Sequence, residues 1–380
     1  MKAFTDPDEL IALRRTLHQN PELSGFENKT VKGLINYLRK YKPDKIITQI
    51  GGNSFAAVYK GNKPGPTILF RADMDALPIE EKNKIEYRSI NKNAAHLCGH
   101  DGHMVMLSGM AQVLNQIRPV KGKIVLFYQA EEETGQGAEK AVNDQKFIDL
   151  NVDYIFGMHN IPGYEKGSII LSNDIFSSAS SGLILRLKGK SSHAGEPENG
   201  INPAKAVADL IYEFENIYKS EFVKDFALIT IIMIKLGERA FGTNPGNAEI
   251  MSTFRSYRND DMEYLSDEAL KTIKSTCNKY SLKYDYEWVE EFPALINHNQ
   301  FVDLIRDLAQ KEELKIIEKN LPFKWSEDFS HYMLNYKGCF WGIGAGKKSP
   351  QLHNPNYDFP DDIIGKGIQL FQSIYKYFLL

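Results

Sequence analysis

The chain has 380 residues, more than one hydrophobic core comfortably serves, so two domains are expected. Apolar residues make up 42% and charged residues 25%, an ordinary balance for a water-soluble globular protein. The net charge of −3, with no Lys/Arg block, argues against a nucleic-acid partner. No uninterrupted apolar run approaches membrane-spanning length, and the opening Met1-Lys2-Ala3-Phe4-Thr5-Asp6 holds no apolar leader core. Cys98, Cys277 and Cys339 are an odd, scattered set rather than a disulfide framework, so a reducing cytoplasm is expected.

Asp8 to His18 reads as a helix, Asn20-Pro21-Glu22-Leu23-Ser24 as a turn that sets Glu22 beside His18, and Val31, Leu34, Ile35 and Leu38 as one face of a second helix. Strand-length runs follow at Ser54–Tyr59, Thr67–Phe70, Lys123–Tyr128 and Tyr154–Met158. Each of the last three leads into acids or a histidine: Asp73 and Asp75, then Glu131, Glu132 and Glu133, then His159. Ligands of open α/β sheets bind beyond the carboxyl ends of the strands, so these side chains are expected to share one place.

From Ser177 to Gly182 the residues turn small and polar, like a linker. Beyond it come strands at Leu183–Leu187, Ala227–Leu236, Glu249–Arg255 and Tyr284–Glu290, with helices at Pro203–Tyr218 and Glu263–Tyr280. Two helices and four strands fit a small α+β sandwich with a split βαβ arrangement. After Pro293 the chain returns to the first domain, through a helix at Gln300–Glu312, a polar turn around Trp325–Ser330, a strand at Gly338–Gly344, a loop holding His353 and a closing helix. The expected organisation is an α/β catalytic domain with a mixed central sheet flanked by helices (1–177 and 291–380), and an inserted smaller α+β, ferredoxin-like domain (178–290).

The chemistry concentrates in His96-Leu97-Cys98-Gly99-His100-Asp101-Gly102-His103, just before an apolar helical run from Met104. Thiolate and neutral imidazole suit zinc and its neighbours, and Gly99 lets Cys98 and His100 turn towards one ion. Alone, the cluster also fits histidines capping a helix from Gly102 beside a buried cysteine. Adjacent glutamates at a strand end point in different directions, so one can hold metal while its neighbour handles a water's proton.

Five stretches together resemble the amidohydrolase branch of the dinuclear metallo-aminoacylase/carboxypeptidase superfamily, which includes hippurate hydrolase, auxin-amino-acid hydrolases and N-acyl-amino-acid deacylases. They are Arg71-Ala72-Asp73-Met74-Asp75-Ala76-Leu77-Pro78, the cluster at 96–103, Gln129-Ala130-Glu131-Glu132-Glu133, Gly157-Met158-His159, and Trp325-Ser326-Glu327-Asp328-Phe329 with Leu352-His353. The resemblance implies two divalent metal ions (zinc, manganese, nickel or cobalt) bridged by Cys98 and held further by His100, Glu133, His159 and His353. It implies Glu132 as general base, Asp75 as a supporting carboxylate, His193 of the inserted lid/dimerisation domain as a group reaching an active site across a homodimer, and Asn244 and Arg255 as substrate contacts. The implied substrate is an N-acyl amino acid or dipeptide-like amide.

The family's usual Gln-Pro-Ala-Glu-Glu is here Gln129-Ala130-Glu131-Glu132-Glu133. Aligned from Gly135-Gln136-Gly137-Ala138, Glu132 is the base and Glu133 the ligand; a slip of one residue moves both roles back. Two other functions stand beside the metal-dependent hydrolase: a thiol hydrolase with Cys98 as nucleophile and His100 as base, and a non-catalytic metal or peptide binder. His96 and His103 read as groups behind the ligands or capping the helix. Cys277, Cys339, His18, His298 and His331 read as structural, and Glu327 and Asp328 are assigned no chemistry.

Overall fold

The computed structural model describes residues 5–380; positions 1–4, part of the stretch searched for a leader, lie outside them. Among the described residues no helix is long and apolar enough to cross a membrane. The chain forms two compact units. One takes it to Phe176 and resumes over Ile296–Leu321 and Asp328–Leu380; the other takes Ser177–Leu295 and Pro322–Glu327.

The first unit opens with α1 (Pro7–Gln19), started by the Asp6 side chain, which accepts the Glu9 N–H, and by proline at the first helical position. Helix α2 (Asn28–Arg39) follows. Glu22 does not pair with His18: its carboxylate accepts the Lys29 and Thr30 N–H groups and so caps α2. Then come β1 (Lys45–Ile50), β2 (Ser54–Lys60), β3 (Lys63–Asp73), α3 (His100–Gln116), β4 (Lys121–Gln129), β5 (Tyr154–Pro162) and β6 (Ile169–Leu171). The eight-stranded sheet runs β1-β2-β4-β3-β5, then Lys337–Gly346, β6 and Ile316–Glu318. β1 pairs antiparallel with β2, and β2 with β4, whereas β3 is parallel to β4 and β5, and Lys337–Gly346 is parallel to β5. The sheet is therefore mixed, with a parallel centre. β1 is an edge strand with mostly exposed or half-buried side chains, so no continuous apolar run marks it in the sequence.

Helix α3 is buried from His100 through Leu114. Such a helix needs apolar residues all round, which Met104-Val105-Met106-Leu107 and Met110-Ala111 supply. It lies in the core cluster that also takes Phe70, Phe156, Trp341 and Phe371.

The second unit carries strands Ala179–Lys188, Ala227–Leu236, Asn247–Ser256 and Lys283–Phe292 with helices Ala204–Tyr218 and Asn259–Lys279. Its sheet order is Ala227–Leu236, Asn247–Ser256, Ala179–Lys188, Lys283–Phe292, with every pair antiparallel. In chain order this is β-α-β-β-α-β, the split βαβ arrangement. The stretch expected as a linker is instead the start of a central strand: Ser180 and Ser181 pair with Arg255 and Phe254. Small size here serves packing. A Cβ at Gly182 would stand 2.9 Å from Val289 Cγ2 on the neighbouring strand.

Candidate metal centre and active site

Because β3, β4, β5 and Lys337–Gly346 run parallel, their carboxyl ends share one edge of the sheet. β3 ends at Asp73, with Asp75 just beyond; β4 feeds the turn that holds Glu132 and Glu133. His159 lies inside β5, which runs on past Met158 to Pro162. His353 sits in the loop after Lys337–Gly346. Cys98 and His100 arrive on the turn into α3, which begins at His100 rather than at Gly102. Gly99 makes this entry: its φ of 91° is left-handed, its carbonyl accepts the Gly102 and His103 N–H groups, and a Cβ there would stand 2.1 Å from Asn160 Oδ1.

These groups converge. Cys98 Sγ is 3.3 Å from His159 Nε2, and His353 Nε2 is 3.5 Å from Glu133 Oε2. His100 Nε2 stands 3.8 Å from carboxylate oxygens of Asp73, Glu132 and Glu133. Ligand atoms held about 2.1 Å from a shared tetrahedral ion stand roughly 3.4 Å apart, the same scale. His100 Nε2 and Glu133 Oε1 are buried with no hydrogen-bond partner, which is costly unless something else occupies the space between them. Cys98, Glu133 and His353 form one group of candidate ligands; Asp73, His100, His103 and His159 form another.

The electrostatics point the same way. Burial pushes the Cys98 thiol well above its ordinary value, and the carboxylates of Glu133, Glu132 and Asp73 add to the push. Burial also lifts the Glu133 carboxyl to about 7, against the pull of His100. Burial opposes charge on His100, but Asp73, Asp75 and Glu133 outweigh it and hold the imidazole at about 10. His159 is kept neutral by burial and by His103. A buried thiol crowded by three carboxylates is costly to ionise, and a divalent cation beside it would offset that cost. The donor set therefore fits metal.

Behind the candidate ligands lies a hydrogen-bonded layer. The Asp75 carbonyl accepts from His100 Nδ1, which leaves Nε2 facing the cluster, and Asp75 Oδ2 accepts the Ser24 hydroxyl and the Glu133 N–H. His159 Nδ1 donates to the Asn160 carbonyl, turning Nε2 towards Cys98. His103 donates through Nδ1 to Asp73 and accepts the Asn160 N–H on Nε2, so both its nitrogens are engaged. Arg71 joins Asp73 to Asp328, which also accepts from Gln129 and the Ala138 N–H, all buried. Asp328, given no chemistry from sequence, thus ties the β3 and β4 ends together. His96 is buried with neither ring nitrogen hydrogen-bonded, and burial takes it down to about 4.

The three glutamates separate by backbone geometry. Glu131 has a φ of 59°, sends its carboxylate to Lys140 and donates its N–H to Glu27. Glu132 and Glu133 both face His100, and Glu133 also meets His353.

His193, Asn244 and Arg255 belong to the second unit. His193 and Asn244 are neighbours on a two-residue ladder, Ser192–His193 against Thr243–Asn244. His193 is exposed and accepts the Gly195 N–H on Nδ1, which leaves Nε2 as its donor when neutral. Asn244 is buried and used at both ends, donating to Ser192 and accepting from Asn202. Arg255 donates to the Lys324 carbonyl and the Ser326 hydroxyl, makes no ion pair among the described residues, and is pulled below its ordinary value by burial.

The family model described as Peptidase family M20/M25/M40 matches residues 69–377. The N-acetyl-L-cysteine deacetylase of Bacillus subtilis (strain 168) is 31% identical over 361 residues, covering 94% of this chain and 85% of that protein. The IAA-amino acid hydrolase ILR1-like 5 of Arabidopsis thaliana is 29% identical over 391 residues, covering 98% and 87%. Among solved structures, Bacillus subtilis YXEP, described as a dinuclear metal binding peptidase from the M20 family, superposes with a TM-score of 0.83 at 25% identity, covering 98% of each chain.

Proposed function

The chain belongs to peptidase family M20/M25/M40 and is a hydrolase, and from that premise we propose that it cleaves N-acyl amino acids or related dipeptide-like amides with the help of two divalent metal ions. The observation that carries this reading is the convergence of buried Cys98, His100 and His159 with half-buried Glu133 and the more exposed His353, beside a second glutamate, Glu132. Cys98, Glu133 and His353 would hold one ion, and His100 and His159 the other, with Cys98 shared. That donor set accepts zinc, manganese, nickel or cobalt. Bound there, the ions supply Lewis acidity, which makes a water more acidic and stabilises negative charge on the amide oxygen. Glu132 takes the proton as the water oxygen bonds to the carbonyl carbon, and returns it to the amine nitrogen as the C–N bond breaks. His193 Nε2–H is a further donor to the developing oxyanion. Arg255, a half-buried guanidinium without an acid, suits the substrate carboxylate, with Asn244 shaping the loop beside His193.

The thiol-hydrolase alternative has the Cys98 environment against it: burial and neighbouring carboxylates disfavour the thiolate that such a nucleophile needs. The non-catalytic alternative would fit a chain lacking Glu132 or Glu133, and both are present. All three cysteines are free, in keeping with a reducing cytoplasm. The test is a panel of N-acyl amino acids and dipeptides, assayed after metal stripping and reconstitution with each ion. Hydrolysis of at least one N-acyl amino acid, with little turnover of an amide lacking the α-carboxylate, is expected; no amide cleaved with any metal would refute the reading.

A homodimer belongs to the proposal. The strand Ala227–Leu236 is an outer edge of its sheet and exposes Ile232, Ile234 and Leu236, an unpaired apolar edge that a second copy would cover. If His193 acts across that dimer, mixing inactive His193→Ala and Glu132→Gln proteins restores activity, because one hybrid site keeps both groups. No recovery, with subunit exchange verified, counts against action in trans.

A further inference from the structure

We propose that Arg14 and His18, one turn apart on α1, are positioning residues that set the spacing between the segment carrying Cys98 and His100 and the segment carrying His353. The proposal rests on the metal-site reading above. Both side chains are fully buried. Arg14 Nη1 reaches Asp101 Oδ2 at 2.9 Å and Asp358 Oδ1 at 3.1 Å, and its Nε reaches Asp361. His18 Nδ1 is 2.9 Å from the same Asp101 oxygen, and its Nε2 is 3.1 Å from Glu81 Oε1. Carboxylates only accept, so His18 donates from both nitrogens and is an imidazolium. Burial opposes that charge, and Asp101 and Glu81 overcome it and hold His18 at about 9.

The partners decide what this cluster does. Asp101 directly follows His100 at the start of α3. Asp358 closes the loop that carries His353, and the same loop is fastened at two more points: the His353 N–H donates to the Leu97 carbonyl, and the Tyr357 hydroxyl accepts from Asn160, the neighbour of His159. Glu81 lies in the long segment between β3 and α3 and accepts the Ser89 N–H. Tyr87 of that segment stands edge-on to His18, sits 4.9 Å from the Arg14 guanidinium carbon, and donates its hydroxyl to Asp358. Two irregular segments and the first turn of α3 thus meet on one face of one helix through charged side chains. His353 has a φ of 64°, a left-handed conformation that needs holding. Groups that orient ligands from behind cost roughly 10–100-fold in metal affinity when removed, although they touch no metal.

The test uses cobalt(II) as probe on the full-length, metal-stripped protein, read by its visible absorption and by titration. Wild type is expected to take up cobalt with a thiolate charge-transfer band. His18→Gln and Arg14→Lys are expected to bind it roughly 10–100-fold more weakly, with altered d–d bands and unchanged far-ultraviolet dichroism. Glu81→Gln keeps an acceptor but removes one charge facing His18; it should fold and show a smaller shift in the same direction. If His18→Gln does not fold, Glu81→Gln decides alone. Variants that melt earlier yet bind cobalt with wild-type affinity and spectrum would show a merely structural cluster and overturn the proposal. Wild type that binds no cobalt would overturn the metal reading itself, a different and recognisable failure.

Discussion

Replacing Glu132 by glutamine is expected to lower turnover by roughly 10²–10⁴ while both ions stay bound, the usual scale for losing a positioned acid/base. The geometry separates this residue from its neighbours. Glu133 approaches both His100 and His353, and Glu133→Gln should weaken metal binding because an amide oxygen is the poorer ligand. Glu132 approaches His100 at 3.8 Å and is the group proposed to handle the proton. Glu131 is turned away onto Lys140, and Glu131→Gln should matter least. Metal content and turnover of the three variants, measured side by side, check this. Should Glu131→Gln abolish turnover with metal retained while Glu132→Gln loses metal, both roles move back one residue.

What could be read from the sequence was what repeats with a period or recurs at a strand end. Phe70, Phe127 and Phe156 sit in runs apolar enough to declare buried parallel strands, and the acids and histidine after them follow from where such sheets bind ligands. The lone His353 became interpretable through resemblance, because nothing near it in sequence marks it as part of the cluster. Small residues do not by themselves mark a linker: Ser180 and Ser181 stand opposite Phe292 and Phe254 on adjoining strands. His18 reads only as structural in sequence because its partners, Glu81 and Asp101, are remote in the chain. Arg71 and Asp328 are a similar case, joined across the molecule by a buried pair whose breaking costs about 3–5 kcal/mol. The Arg14–His18 spacing of four residues was the one local sign, since it puts both cations on the same helix face.

Metal removal should have the other large effect, and for a reason specific to this site. Stripped of cations, Cys98 is a buried thiol beside Glu133, Glu132 and Asp73, and the Lewis acidity that would acidify a water and draw charge onto an amide oxygen is gone. Lewis-acid stabilisation is worth several kcal/mol, so its loss should cost about 10³-fold or more in rate. The most direct measurement is elemental analysis of protein purified without chelator, paired with turnover of one N-acyl amino acid before chelation, after it, and after adding back each ion. About two ions per chain are expected, with activity lost on stripping and recovered on reconstitution, and with both uptake and recovery abolished by Cys98→Ala. Full turnover in demonstrably metal-free protein would contradict the account at its centre.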